Sequence, residues 1–288
     1  MTAPDRRPEG LELLLDAAWQ TLSVAATDGG DIAVTVRGTG EGNVLGGAFW
    51  SELVAFLELV GDVERPGTVL LAGSGDDFSR GLDLRWYLTR LRRARRDGAV
   101  AEAVLADIRR LQEAITALAT CPCAVIAVVD GECTGAALEL VAACDVRFAT
   151  RSARFSLPEA DLGVVADLGG LQRLPHLVGE GFVRELVLSG ATRDAEYARR
   201  TGLVNDVFDT RTAADAAARE LADQIRTTPP AVVTEIKRVL DASHRAQVDV
   251  GLARVARWNS DQVATAGWEH RMAARLAGTG GQGRGAGS

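Results

Sequence analysis

The run VIAVVDGECTGAALELVAACD, residues 125–145, passes from one kind of element to another with no polar break. VIAVVDG (125–131) is continuously apolar and rich in β-branched residues, the pattern of a strand covered on both faces. GAALELVAAC then reads as a helix and VRFAT (146–150) as the next strand. Upstream, DIAVTVRG (31–38) and TVLLAG (68–73) read as strands, and FWSELVAFLELV (49–60) has helical periodicity. A short helix over 11–21 and a long one over about 99–119 complete this part. Strands alternating with helices imply an α/β fold with strands buried on both sides. From Asp194 onward the chain reads as helical with no strong strand signal, and the tail GTGGQGRGAGS (278–288) reads as a flexible glycine-rich end.

The 288 residues, 47% hydrophobic and 25% charged, suit one large globular domain or one domain with an appendage. A net charge of −7 gives no general basic footprint for nucleic acid or anionic membrane, and no apolar run reaches the length of a membrane span. Cys121, Cys123, Cys133 and Cys144 lie in one apolar third of the chain without zinc-finger spacing, and read as reduced core thiols. The start, MTAPDRRPEG, has no apolar signal core, and the end, GAGS, is no peroxisomal address. The expected location is the cytoplasm.

The same central run carries chemistry. Gly135 and Ala136 open a helix whose first turn has unpaired backbone N–H groups. FSRGLDL (78–84), after the strand 68–73, makes a second small-residue turn. Two such N–H groups converging on one carbonyl oxygen make an oxyanion hole, which stabilises the enolate of a thioester. Glu139 sits inside the helix among apolar neighbours. It is either half of a buried ion pair, with Arg147 as the expected partner, or an acid or base with a raised pKa.

Residues 125–163, VIAVVDGECTGAALELVAACDVRFATRSARFSLPEADLG, resemble the central signature of the crotonase (enoyl-CoA hydratase/isomerase) superfamily. GGLQRLPHLVG and AEYARRTGLVNDVF continue it, and GAFWSELVAFLELVGD and LLAGSGDDFSRGLDL fit upstream, so the resemblance spans about 43–237. It implies a β/β/α spiral core over 1–204, a C-terminal helical trimerisation region over 205–277, and assembly as a homotrimer or hexamer. It also implies an acyl-CoA thioester substrate, no metal and no cofactor, coenzyme A being part of the substrate. The oxyanion donors would be the N–H groups of Leu82 and Ala136; the family usually has a glycine where Ala136 stands. Ala72, Gly81, Asp83, Gly135 and Lys237 become candidate contacts to coenzyme A.

The stretch PEADLGVVADLGGLQRLP (158–175) sets Glu159, Asp161 and Asp167 in an apolar run. Within the superfamily it most closely resembles the Δ3,5-Δ2,4-dienoyl-CoA isomerases, as does RWNSDQV (257–263). Moving both double bonds removes a proton beside the thioester and returns one at the far end of the conjugated system, so one carboxylate must face each end. The resemblance gives Glu159 to the near carbon and Asp167 to the distal one. Read alone, Glu159 suits a loop salt bridge and Asp167 a helix N-cap. Glu139 and Glu159 match the catalytic pair of the hydratases, so hydration of a 2-enoyl-CoA stays open beside isomerisation. An acyl-CoA-binding member without catalysis is the third reading. Arg85, Arg90, Arg92, Arg93, Arg95 and Arg96 read as a solvated or subunit-facing helix surface.

Overall fold

The computed structural model describes residues 10–27, 29–63 and 67–278. Strands β1 (Leu22–Ala26), β2 (Ile32–Val36), β3 (Val69–Gly73) and β4 (Val125–Val129) lie side by side in that order. β5 (Glu132–Thr134) then leaves the sheet and β6 (Val146–Thr150) returns to the free edge of β4. β7 (Arg154–Ser156) and β8 (Arg193–Asp194) join β5 in a small second sheet, and β9 (Asp206–Phe208) closes the main sheet beside β6. Among the described residues, β1 with β2 and β7 with β8 pair antiparallel and the other strand pairings are parallel, in registers such as Val69 with Val125 and Ile126 with Val146.

The continuous apolar run of β4 is explained by burial on both faces. Val125, Ala127 and Val129 face the main core, while Ile126 and Val128 meet Ala214, Ala218 and Ala222. Those alanines lie on the helix Arg211–Arg226, and their small side chains let it approach the sheet closely.

The helices of the first half are α1 (Leu11–Asp16), α2 (Gly47–Asp62), α3 (Leu84–Arg96), α4 (Val100–Ala119) and α5 (Ala136–Val141). Then come α6 (Gly170–Val178), α7 (Glu180–Ser189) and α8 (Ala195–Thr201), followed by α9 (Arg211–Arg226), α10 (Pro230–Ala242), α11 (Arg245–Val263) and α12 (Ala266–Gly278). α9 carries the three alanines onto the sheet. α11 runs along α4 and α6, and α12 folds back over α3 and a 3-10 turn at Glu159–Leu162. Among the described residues no helix is long and apolar enough to cross a membrane.

Two differences from the sequence reading have local causes. The expected helix at 11–21 stops at Asp16, and Leu22–Ala26 pairs with β2 as an edge strand. β9 falls in the stretch read as wholly helical. Its three residues carry no periodic signal, but Asn205 hooks them to β6: the Asn205 N–H donates to the Arg147 carbonyl (2.7 Å), and Asn205 Oδ1 accepts from the Arg147 N–H (2.9 Å). The expected glycine-rich tail, beyond Gly278, lies outside the described residues.

Candidate active site

Asn43 organises the first of the two small-residue turns. It is a non-glycine residue in left-handed conformation (φ 51°), and its Nδ2 donates to the carbonyls of Ser74 and Asp77, both at 2.8 Å, and of Phe78. Ser79 Oγ donates to the Asn43 carbonyl and accepts the Gly81 N–H. The turn is then stitched to β5: the Ser79 N–H donates to the Glu132 carbonyl (2.9 Å), and the Thr134 N–H to the Ser79 carbonyl (3.1 Å). Because β5 runs directly into Gly135 and Ala136, the two turns are held face to face.

Gly81 (φ 86°) and Gly135 (φ 59°) are both needed there. A Cβ on Gly81 would lie 2.4 Å from the Thr134 carbonyl oxygen and 3.4 Å from the Ala136 nitrogen; one on Gly135 would lie 2.8 Å from Glu159 Oε1. Neither the Leu82 nor the Ala136 N–H donates to a protein group among the described residues. Two backbone donors therefore stand at one end of a cavity of about 400 Å³, lined by Gly81, Leu82, Gly135 and Ala136 there and by Tyr87, Val263, Trp268 and Met272 among others elsewhere.

Four acidic residues line the same cavity: Glu132, whose Oε2 accepts from Thr134 Oγ1 (3.3 Å), and the three expected from the sequence, Glu139, Glu159 and Asp167. Glu139 is 1% exposed, and its Oε2 accepts the N–H of Leu168 (2.9 Å) and of Gly170 (2.6 Å). Burial, then the charges of Glu159 and Asp167, push it well above the usual carboxylate range, while the two N–H groups pull it down. The expected ion pair with Arg147 does not form, because Arg147 donates to the carbonyls of Leu203 (2.8 Å) and Cys144 (2.6 Å).

Glu159 opens the 3-10 turn, and its Oε2 is buried with no hydrogen-bond partner. Burial raises it to about 8; its own N–H opposes this and the charge of Asp167 adds to it. No salt bridge involves it among the described residues. Asp167 does not cap α6, whose N-cap is Gly169. Its Oδ2 instead accepts from Asn259 Nδ2 at 2.6 Å. Burial raises Asp167 to about 6, against the downward pull of Asn259. Tyr87 lines the same cavity, and burial first, then the charge of Asp167, raises it above its ordinary value.

The other candidates are spread more widely. Gly81 and Gly135 line the cavity, whereas Ala72, Asp83 and Lys237 do not. Asp83 caps α3, accepting the N–H of Arg85 and of Trp86, both at 3.0 Å. Lys237 donates to Asp145 (2.6 Å) and to the Cys123 carbonyl (2.9 Å), fastening α10 to the start of β4. Asp161 is exposed. Arg90 pairs with Asp107 of α4, and Arg92 and Arg95 pair with Glu269, so part of the arginine-rich face ties α3 to α4 and α12. The four cysteines are free and buried. Sequence reasoning missed Asn43, Asn259 and Gln112, whose Nε2 donates to the Asp167 carbonyl (2.6 Å). Each is a buried amide aimed at backbone from another segment, and single-sequence periodicity carries no signal for such a contact.

A family model described as "Enoyl-CoA hydratase/isomerase" matches residues 30–270. The peroxisomal Delta(3,5)-Delta(2,4)-dienoyl-CoA isomerase of Arabidopsis thaliana is 37% identical over 195 residues, 67% of this chain and 70% of that protein. The mitochondrial enzyme of that name from Mus musculus is 33% identical over 266 residues, 91% of this chain and 80% of that protein. An enoyl-CoA hydratase/isomerase from Mycobacterium paratuberculosis shares the fold, with a TM-score of 0.79 at 24% identity over 90% of this chain and all of that one. The α/β, crotonase-like fold expected from the resemblance is the observed one. The chain belongs to the enoyl-CoA hydratase/isomerase family.

Proposed function

We propose that this chain is a dienoyl-CoA isomerase that converts a 3,5-dienoyl-CoA to the 2,4-dienoyl-CoA. The observation that carries the reading is Asp167, a carboxylate beyond the Glu139 and Glu159 pair, in one cavity with Glu159 but in different surroundings. Glu159 stands against Gly135, beside the two backbone donors. Asp167 stands with Asn259 and Tyr87. Relatives named dienoyl-CoA isomerase support the same assignment.

In this scheme the thioester oxygen accepts the N–H groups of Leu82 and Ala136. Glu159 takes a proton from C2, the electron pair spreads over a dienolate held by those donors, and Asp167 gives a proton to C6. No atom is gained or lost. The pair holds one proton between about pH 6, where Asp167 ionises, and about pH 8, where Glu159 does. Turnover leaves that proton on Glu159 and the charge on Asp167, the arrangement the free site favours, so before the next cycle Glu159 releases its proton and Asp167 takes one up. Glu139, its proton affinity raised by burial, holds the Leu168–Gly170 turn through its two accepted hydrogen bonds.

A second reading, hydration of a 2-enoyl-CoA, is favoured by one observation: Glu139 and Glu159 line the same cavity and could share a water. Offering the purified protein a 3,5-dienoyl-CoA and a 2-enoyl-CoA separately, with ultraviolet absorbance followed, distinguishes them. Growth of the conjugated 2,4-dienoyl chromophore supports isomerisation; loss of enoyl absorbance supports hydration; neither change leaves a non-catalytic acyl-CoA binder. The same proposal takes the protein as cytoplasmic, cofactor-free and a homotrimer or hexamer. The exposed apolar residues Val232, Ile236, Val239 and Leu240 of α10 support assembly, which sedimentation tests.

A further inference from the structure

Asn259 lies on α11 with Ala256 and Val263 on the same buried side, and is 1% exposed. An amide in that position is costly unless every polar atom is paired. All of its hydrogen bonds reach one segment far away in sequence. Oδ1 accepts the Val165 N–H (3.0 Å), and Nδ2 donates to the Val165 carbonyl (2.7 Å) and to Asp167 Oδ2 (2.6 Å). One acceptor oxygen and two N–H groups are thereby all used.

The accounting fixes the orientation of the amide. A flipped Asn259 would set its NH2 group against the Val165 N–H, donor against donor, and would leave the Val165 carbonyl facing an oxygen. The two backbone contacts therefore force an N–H toward Asp167. Asp167 Oδ2 can only accept there, so a proton carried by Asp167 resides on Oδ1.

We infer that Asn259 is a positioning residue for Asp167, fixing its carboxyl plane and assigning the transferable proton to Oδ1. The inference rests on the reading of Asp167 as the distal proton group. Other groups that bear on Asp167 are Glu139 of α5, Glu159 of the 3-10 turn and Tyr87 of α3; none of these gives it a hydrogen bond. Gln112 of α4 holds the same segment, but through the backbone carbonyl of Asp167, so it separates holding the loop from holding the carboxyl.

The test compares Asn259→Leu and the isosteric Asn259→Asp with Gln112→Leu. The Asp167 carboxyl is followed by carbon-13 NMR, with its signal identified by loss in Asp167→Asn. In the unaltered protein it titrates near 6. Losing a hydrogen bond to the anion moves the midpoint up by about one pH unit or more in both Asn259 variants, whereas Gln112→Leu leaves it in place. With 3,5-dienoyl-CoA, kcat falls about 10- to 100-fold in Asn259→Leu with KM little changed. A midpoint that stays near its original value in either folded Asn259 variant overturns the inference and leaves Asn259 as loop scaffolding. Should Asn259→Leu fail to fold, the isosteric variant decides by the same midpoint. Absence of 3,5-dienoyl turnover in the unaltered protein would sink the functional reading instead, while the titration still decides whether Asn259 governs Asp167.

Discussion

The two ends of the cavity are built differently. The end bearing the backbone donors is made of main chain: Gly81, Leu82, Gly135 and Ala136, fixed by ladder-like hydrogen bonds between Ser79 and β5. Another part of the lining is made of side chains from elements remote in sequence. Tyr87 comes from α3, Asn259 and Val263 from α11, and Trp268 and Met272 from α12, with Trp268 edge-on to Tyr87 at 6.0 Å. A developing oxyanion needs rigid donors whatever the acyl group, and backbone geometry supplies them. In the proposed isomerisation the side-chain part would match the acyl chain and place one proton, which exchangeable side chains can tune.

The largest expected effect falls on the side-chain end. Asp167→Asn removes one proton carrier and lowers 3,5-dienoyl isomerisation by about 10²- to 10⁴-fold; a full rate in that variant would move the distal proton to another group. At the main-chain end, Gly135→Ala puts a methyl 2.8 Å from Glu159 Oε1 at a left-handed backbone position. Its kcat drops by about 10²-fold or more through displaced donors, and equal losses with every acyl-CoA tried would mark this end as indifferent to the acyl chain.

The pH dependence tests both ends together. Below about 6 both carboxyls are protonated and no base remains; above about 8 both are ionised and no acid remains. A bell-shaped kcat/KM profile with its maximum near 7 follows, falling about tenfold per pH unit on each side. A profile flat from 5 to 9 would contradict a pair sharing one proton.

A milder change is expected from Trp268→Ala, which opens the apolar end. It shifts the preferred acyl-CoA toward longer chains, read as the ratio of kcat/KM values, by about 10- to 100-fold per extra group accommodated. The smallest effect on catalysis is expected at Lys237→Met. Breaking the half-shielded pair with Asp145 destabilises by about 1–3 kcal/mol in thermal unfolding. A large rise in KM for acyl-CoA there would return Lys237 to the coenzyme-binding role the family resemblance gave it.

The contrast between the ends also governs what could be read in advance. Gly135-Ala136, Gly81-Leu82 and Glu139 lie in or beside apolar strands, so local pattern and family resemblance both reach them. Glu159 and Asp167 were legible as a pair only through the family resemblance, in which two acids stand eight residues apart in this segment. Their surroundings were not: the cap expected of Asp167 is supplied by Gly169 with no side-chain bond, and its carboxyl turns to Asn259. The Arg147 partner expected for Glu139 was wrong because a guanidinium at the end of β6 finds the Leu203 and Cys144 carbonyls nearer at hand. Lys237 and Asp83, named as coenzyme contacts, are engaged in fastening α10 and capping α3.

Sequence alone determined the alternation of strands and helices, the burial of β4 on both faces, the two glycine turns and the identity of the three acids. The elements and turns follow from short-range steric and hydrophobic rules that act within a dozen residues, and the acids were singled out by the family resemblance. Tertiary structure alone decided which acids share a cavity, which of them is hydrogen-bonded, and that α11 brings the Asn259 amide to Asp167. Desolvation and hydrogen bonding set a carboxyl's proton affinity, and both depend on groups that only chain folding brings within about 3 Å.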